Sequence, residues 1–228
     1  MIILSYLQKR AREMLVGERM SHPVITIHPE MSMPDALHLM KREHIRRLPV
    51  VDKKGNLVGM VSENDLLHAS PSDVTSLSIW EATYLISKIQ IKRIMEKDVI
   101  TVTEDTPLEE AARIMADNKI GGVPVVRDGK VIGIITETDL FKVFLELLGA
   151  REPGVRLAAL IQYAPGQLAY VTRSIFDHGG NIIALGTFLG ESSENREVTM
   201  KVNGIDSDTL RESLEPYVEK IIDIRETL

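Results

Sequence analysis

The chain carries one strand-to-helix pattern twice at a fixed distance, and this duplication limits its fold more than any other feature. GMVSENDLL occupies residues 59–67 and GIITETDLF occupies residues 133–141. Earlier positions keep a common register: Met20 aligns with Met95, Ala36 with Ala111, Met40 with Met115 and Pro49 with Pro124, all 75 residues apart. From Gly59 and Gly133 onward the offset is 74, because the turn at residues 53–56 is one residue longer than its counterpart at 128–130. A register held this long, and slipping only in a turn, marks a duplicated supersecondary unit.

Each unit reads as strand, helix, strand, turn, strand, helix. In the second unit, Thr106 to Glu109 has the form of a capping box with Pro107 at the first helical position. Leu108, Ala111, Ala112, Met115 and Ala116 then form one apolar stripe. Residues 123–126 and 130–135 read as buried strands joined across the tight turn Asp128-Gly129. The first unit repeats this over residues 35–43, 48–51 and 57–61. Residues 1–15 predict a short amphipathic helix with Ile3, Leu7, Arg10 and Met14 at helical spacing. Residues 71–90 predict a packed helical connector, capped by Ser76 or Ser78, with the single tryptophan, Trp80, in a packing role.

Residues 149–155 contain Gly149, Pro153 and Gly154 and are the expected linker. Beyond them the pattern changes. Strands are expected at 156–162, 181–189, 197–202 and 218–225. Helices are expected at 167–178, ended by Gly179, and after Asp206 or Ser207, with Leu210, Leu214 and Tyr217. That order is βαββαβ, a ferredoxin-like arrangement.

The repeated corner has a chemistry of its own. A buried strand stops at a hydroxyl residue, Ser62 or Thr136, and a helix begins with an aspartate three residues on, Asp65 or Asp139. The hydroxyl caps the helix, and the amides at its start attract an anion. The carboxylate can accept two hydrogen bonds from a vicinal diol such as a ribose. A capped helix with an acidic first turn is the simpler reading of either corner alone. Two such corners inside a long repeat favour a nucleotide.

Composition excludes several classes. A formal net charge of -6 without a basic block disfavours nucleic-acid binding, which needs phosphate neutralisation. No apolar run approaches the ~18 residues of a membrane span, and the N-terminal residues lack the form of a signal peptide. There is no cysteine, hence no disulfide framework or thiol chemistry. The expectation is a soluble cytoplasmic protein. The six histidines are scattered without metal-ligand spacing, and no nucleophile elbow, phosphate-binding P-loop or dinucleotide fingerprint is present. The chain therefore reads as non-catalytic, with no metal and no required cofactor. Glu63 and Glu137, beside the corners, are the acids that an alternative nucleotide-processing enzyme would use; they also suit first-turn helix positions. A further alternative is a structural dimerisation module with vestigial clefts.

Over residues 16–148 the duplicated pattern and both Gly-x-x-[Ser/Thr]-x-x-Asp corners resemble a tandem pair of CBS domains (a Bateman module). The fold class implied is α/β (α+β): CBS domains at 16–70 and 91–148, then a ferredoxin-like domain at 156–228. The resemblance implies two clefts about a pseudo-twofold axis that take adenine nucleotides (AMP, ADP or ATP), with S-adenosylmethionine or NAD also possible. One cleft would join Met20, Ile25, Arg46, Arg47, Ile134, Thr136 and Asp139. The other would join Met60, Ser62, Asp65, Met95, Ile100, Gly121 and Gly122. Asp139 and Asp65 would hold ribose hydroxyls; Thr136 and Ser62 would contact phosphate or ribose. Residues 44–50, with Arg46 and Arg47, resemble the basic segment of the gamma subunit of AMP-activated kinase. The first cleft is thus expected to prefer a phosphorylated ligand, through bidentate arginine contacts. The second, lined by Gly121 and Gly122, is expected to hold a nucleoside-like ligand or none.

Residues 156–226 resemble an ACT domain, through Ala164, Pro165, Gly166 and Leu168 and then His178 to Ile182. That implies a small pocket at a domain–domain interface involving Gly166 and Asn181, which often takes an amino acid. Ile161 and Tyr163 stand where amino-acid-binding members carry polar residues, so dimerisation is the expectation ranked first. The whole layout is similar to that of the acetoin-utilisation proteins. The partners implied are an adenine nucleotide, a second copy in a homodimer, and a regulated protein that the sequence does not identify.

Overall fold

The two copies of the repeat build the same small structure. The computed structural model describes residues 14–69 and 87–227. The helix expected over 1–15 and the connector expected over 71–90, with Trp80, lie almost entirely outside the described residues. The chain divides into two units, residues 1–140 and 141–228; the division falls ahead of the expected linker at 149–155.

In the first unit, a single turn α1 (Val16–Arg19) precedes α2 (Met33–Arg42), β1 (Arg47–Val51), β2 (Leu57–Ser62) and α3 (Glu63–His68). The second copy gives α4 (Leu108–Asn118), β3 (Gly122–Arg127), β4 (Lys130–Thr136) and α5 (Glu137–Leu147). Helix α5 starts in the first unit and ends in the second. Both hairpins are antiparallel and slip register at equivalent places, Val50/Val51 and Val125/Val126. Asp128 and Gly129 both take positive φ, 52° and 77°. This is the primed turn that matches strand twist, and glycine takes it without the Cβ clash of other residues. One local expectation differs. Helix α4 begins after Pro107 with no side-chain cap. The Thr106 hydroxyl instead accepts the Thr103 backbone N–H at 3.1 Å, so the predicted capping box does not form.

The copies interlock by exchanging their leading segments. Ser21, at the start of the first copy, pairs with Ile134 on β4, while Glu96, at the start of the second, pairs with Met60 on β2. Leu15 pairs with Pro107 and Gln90 with Ser32 in the same reciprocal way, and the two hairpin turns meet through Asn56 and Lys130. Every such contact has a repeat-equivalent partner, as a pseudo-twofold axis requires. Within each copy the leading segment adds a parallel contact to the hairpin, Ile27 to Val50 and Val102 to Val125. The core of the first copy contains Ile27, Met33, Met40, Leu48, Val50, Val61 and Leu66, all aliphatic or thioether.

The second unit has β5 (Gly154–Gln162), α6 (Gln167–Asp177), β6 (Asn181–Leu189), β7 (Asn195–Asn203), α7 (Ser207–Leu214) and β8 (Lys220–Thr227). Its antiparallel sheet has the order β6-β7-β5-β8. Alternate residues of β5 and β7, such as Leu157, Ala159, Val198 and Met200, face Val171 and Ile175 on α6 and Leu210 and Leu214 on α7. Burying side chains of this kind supplies about 1.5–3 kcal/mol each. Asp206 caps α7, its carboxylate accepting the Asp208 and Thr209 N–H groups at 3.0 and 2.9 Å. Gly179, at φ 83°, follows α6 as the sequence predicts. The element order is βαββαβ.

Candidate ligand-binding clefts

Both corners close in the manner their spacing implies. Strand β2 delivers Ser62 to the start of α3, where its hydroxyl accepts the Asp65 N–H at 3.2 Å. Asp65 Oδ2 accepts in return from the Ser62 N–H and hydroxyl, each at 2.7 Å. Strand β4 delivers Thr136 likewise, and Asp139 Oδ2 accepts its N–H at 3.1 Å and its hydroxyl at 2.7 Å. The corners then diverge. Asp65 is exposed, and among the described residues its Oδ1 has no hydrogen-bond partner. Asp139 is 6% exposed.

Glycines let the exchanged segments approach. A Cβ on Gly59 would lie 2.6 Å from Met95 Sδ, and one on Gly133 would lie 2.3 Å from Met20 Sδ. Each methionine therefore rests on a glycine of the other copy. The Ser21–Ile134 pairing and the approach of Met20 to Gly133 set Met20 against β4, the strand that ends at Thr136. Ile25 and Arg46 are exposed.

On the other side is an open cavity of about 420 Å³. Met60, Ser62, Asp65, Ile100, Gly121 and Gly122, six of the seven residues expected there, line it. Met95, the seventh, packs its thioether over Gly59. Asn64, Glu96, Asp98, Val99, Lys119 and Ile120 also line it and were not anticipated. Lys119 was findable: it is the repeat-equivalent of His44, and both take φ 54°.

Arg47 departs from expectation. Expected at the first cleft, it lines the second. Residues 47 and 122 are repeat-equivalents that meet near the axis: a Cβ on Gly122 would sit 3.1 Å from Arg47 Cδ. A Cβ on Gly121 would sit 1.9 Å from Arg47 Nη2. An arginine at 47 is accommodated because 121 and 122 have no side chains, and Thr136 Cγ2 and Glu137 Oε2 lie against the same two glycines. Arg47 is half-buried, and among the described residues its guanidinium has no hydrogen-bond or ion-pair partner. The cavity is thus lined by a carboxylate with a free oxygen and by an arginine without a partner among the described residues.

Gly166 and Asn181, the expected residues of the second unit's pocket, stand at opposite ends of α6. Its 11 residues span about 16 Å, so the fold does not bring the two together.

A family model for the CBS domain matches residues 15–72 and 91–146, half of the chain. A CBS domain-containing protein of Dictyostelium discoideum is 31% identical over 137 residues, covering 60% of this chain and 94% of that protein. A protein of Vibrio cholerae named for acetoin utilization (AcuB) has a solved structure with TM-score 0.51 and 33% identity, covering 60% of this chain and 95% of that one. CBSX2, known in Arabidopsis thaliana as a chloroplastic CBS domain-containing protein, has been solved in complex with AMP. That structure has TM-score 0.50 and 32% identity, covering 58% of this chain and 97% of that one. The chain spans only 23% to 51% of the length of the next three curated relatives it matches.

Proposed function

Because the chain belongs to the CBS-domain family, we propose that it is a non-catalytic regulatory sensor whose second cleft binds an adenosine ligand carrying an anionic group. One observation carries this reading: half-buried Arg47, whose guanidinium has no partner among the described residues, lines the same cavity as Asp65, whose Oδ1 has none there either. Asp65 accepts from the ribose hydroxyls, and Arg47 donates to phosphate. The complex of CBSX2 with AMP supports the ligand class. Phosphate preference, expected of the first cleft, moves to the second with Arg47. The first cleft, with its aspartate buried, takes a neutral nucleoside or closes.

The second unit acts in this proposal as an ACT-type domain. It joins two copies into a homodimer, so that Gly166 of one chain and Asn181 of the other border the shared pocket. A regulated protein reads the change in the repeats, in the cytoplasm.

Calorimetric titration with AMP tests the reading. Charge-assisted hydrogen bonds contribute about 1.5–3 kcal/mol, so Arg47→Ala and Asp65→Asn should each weaken AMP by about tenfold or more. Unchanged affinity in both variants would refute the site.

A further inference from the structure

Asn203 ends β7, and Gly204 follows it outside the strand. Of the six asparagines in the chain, Asn203 is the one followed by glycine. Both residues are exposed. Asn203 is paired with Asn181 in the sheet ladder, but its side-chain amide has no hydrogen-bond partner among the described residues, and neither has the Gly204 N–H. Gly204 takes φ 80° and brings no Cβ to screen its nitrogen.

These are the two groups that a succinimide needs. The Gly204 amide nitrogen, losing its proton to water, attacks Cγ of Asn203. The N–Cγ bond forms, the Cγ–Nδ2 bond breaks, and Nδ2 leaves as ammonia. One water then opens the ring. Opening at Cγ gives aspartate; opening at the main-chain carbonyl gives isoaspartate, whose backbone is longer by a methylene. The other asparagines differ. Asn195 Oδ1 accepts the Ser192 N–H at 3.0 Å, and its Nδ2 donates to Glu219 at 3.2 Å. Asn56 Nδ2 donates to Asp52 and Asn118 Nδ2 to the Ile114 carbonyl, each at 2.8 Å. Asn64 and Asn181 precede Asp65 and Ile182, whose side chains crowd the attacking nitrogen.

The place of the pair in the fold gives the reaction a consequence. Val202, just before Asn203, is fully buried and pairs with Val155 on β5 and Ile182 on β6. Ile205, just after Gly204, packs on the same core. A backbone lengthened between them cannot hold both side chains in register. Either product also adds a carboxylate to the cavity that Asn203 lines with Glu226, where the described lining has no Lys or Arg.

We infer that Asn203 is a site of spontaneous deamidation through a succinimide with Gly204, and that the isoaspartate formed loosens the second unit as the protein ages. The inference is independent of the ligand reading above.

The test is prolonged incubation of the full chain at neutral pH, warm but below unfolding, for wild type and Asn203→Gln. Peptide mass mapping locates the modified residue, enzymatic methylation counts isoaspartate, and calorimetry reads melting. Wild type should convert Asn203 ahead of the other asparagines. The converted chain should melt about 4–8 °C lower in its second unit, the shift that loss of a modest interaction gives a domain of this size. Asn203→Gln, incubated alike, should gain no isoaspartate at this position and keep its melting temperature. Freshly purified Asn203→Asp carries the charge without the longer backbone and should melt nearer to fresh than to incubated wild type. Asn203 remaining intact, or converting no faster than the other asparagines, overturns the site. Conversion without a change in melting, or fresh Asn203→Asp melting as low as the converted chain, overturns the part assigned to the longer backbone.

Discussion

Gly121→Ala separates the fold of the second cleft from its ligand chemistry. The new methyl would lie 1.9 Å from Arg47 Nη2, 2.8 Å from Arg47 Cζ and 2.6 Å from Glu137 Oε2. All three atoms are the far ends of flexible side chains, so no backbone has to move. Gly121 has no positive φ, and alanine there restricts the unfolded chain, a gain of about 0.4–1 kcal/mol. Thermal stability should therefore hold or rise slightly. The guanidinium must retreat by roughly 1.5 Å to reach ordinary contact near 3.4 Å. That removes it from hydrogen-bonding distance of a phosphate seated in the wild-type position. The loss of a charge-assisted bond worth about 1.5–3 kcal/mol corresponds to about 10- to 150-fold weaker AMP binding. Calorimetry for affinity and scanning fluorimetry for stability read the two effects independently. Adding Arg47→Ala to Gly121→Ala should cost little more, since both remove the same contact. Wild-type AMP affinity in Gly121→Ala, or additive losses in the double variant, would refute the reasoning.

Three other outcomes follow from the same geometry. Asp139→Ala should destabilise the chain more than Asp65→Ala, because Asp139 is buried and its loss strands the Thr136 donors, at about 1–3 kcal/mol; chemical denaturation of both variants checks the order. Leu157→Ala, at a fully buried position of the central strand β5, should cost about 2–5 kcal/mol without altering AMP affinity; denaturation and calorimetry together decide it. Hydrogen bonds from the backbone and side chain of Thr209 hold the Asp206 carboxyl below the ordinary aspartate range. Its contribution is thus complete above about pH 4 and lost as pH falls through the lowered folded value. Asp206→Asn, an equally good cap, should match wild type at pH 7 and show a flatter acid limb in pH-dependent unfolding.

Much of this structure is legible in the residues. The repeat offset, its single slip in the turn, the Asp128-Gly129 hairpin and the hydroxyl-to-aspartate corners are local signals, and each names an element the structure contains. The βαββαβ order of the second unit follows from the same kind of periodicity and from the breaks at Gly166 and Gly179. The path of Arg47 is not a local property. It depends on residues 47 and 122 meeting near an axis 75 positions apart in sequence, where one arginine fits only because its equivalent is glycine. Segment order alone groups Arg47 with Arg46, while its side chain lies against Gly121 and Gly122 and lines the second cavity. The difference between Asp65 and Asp139 is similar. Equal spacing implies equal corners, yet burial depends on what the other copy lays over each. Thr106 shows a competing local bond winning: its hydroxyl satisfies the Thr103 N–H and leaves α4 to start one residue later.

The most direct measurement is a crystal structure of the full chain with AMP. The ribose hydroxyls should lie within hydrogen-bonding distance of Asp65 and the phosphate within reach of Arg47, in the cavity bordered by Gly121 and Gly122. AMP seated elsewhere, or its phosphate directed away from Arg47, would contradict the assignment of the second cleft.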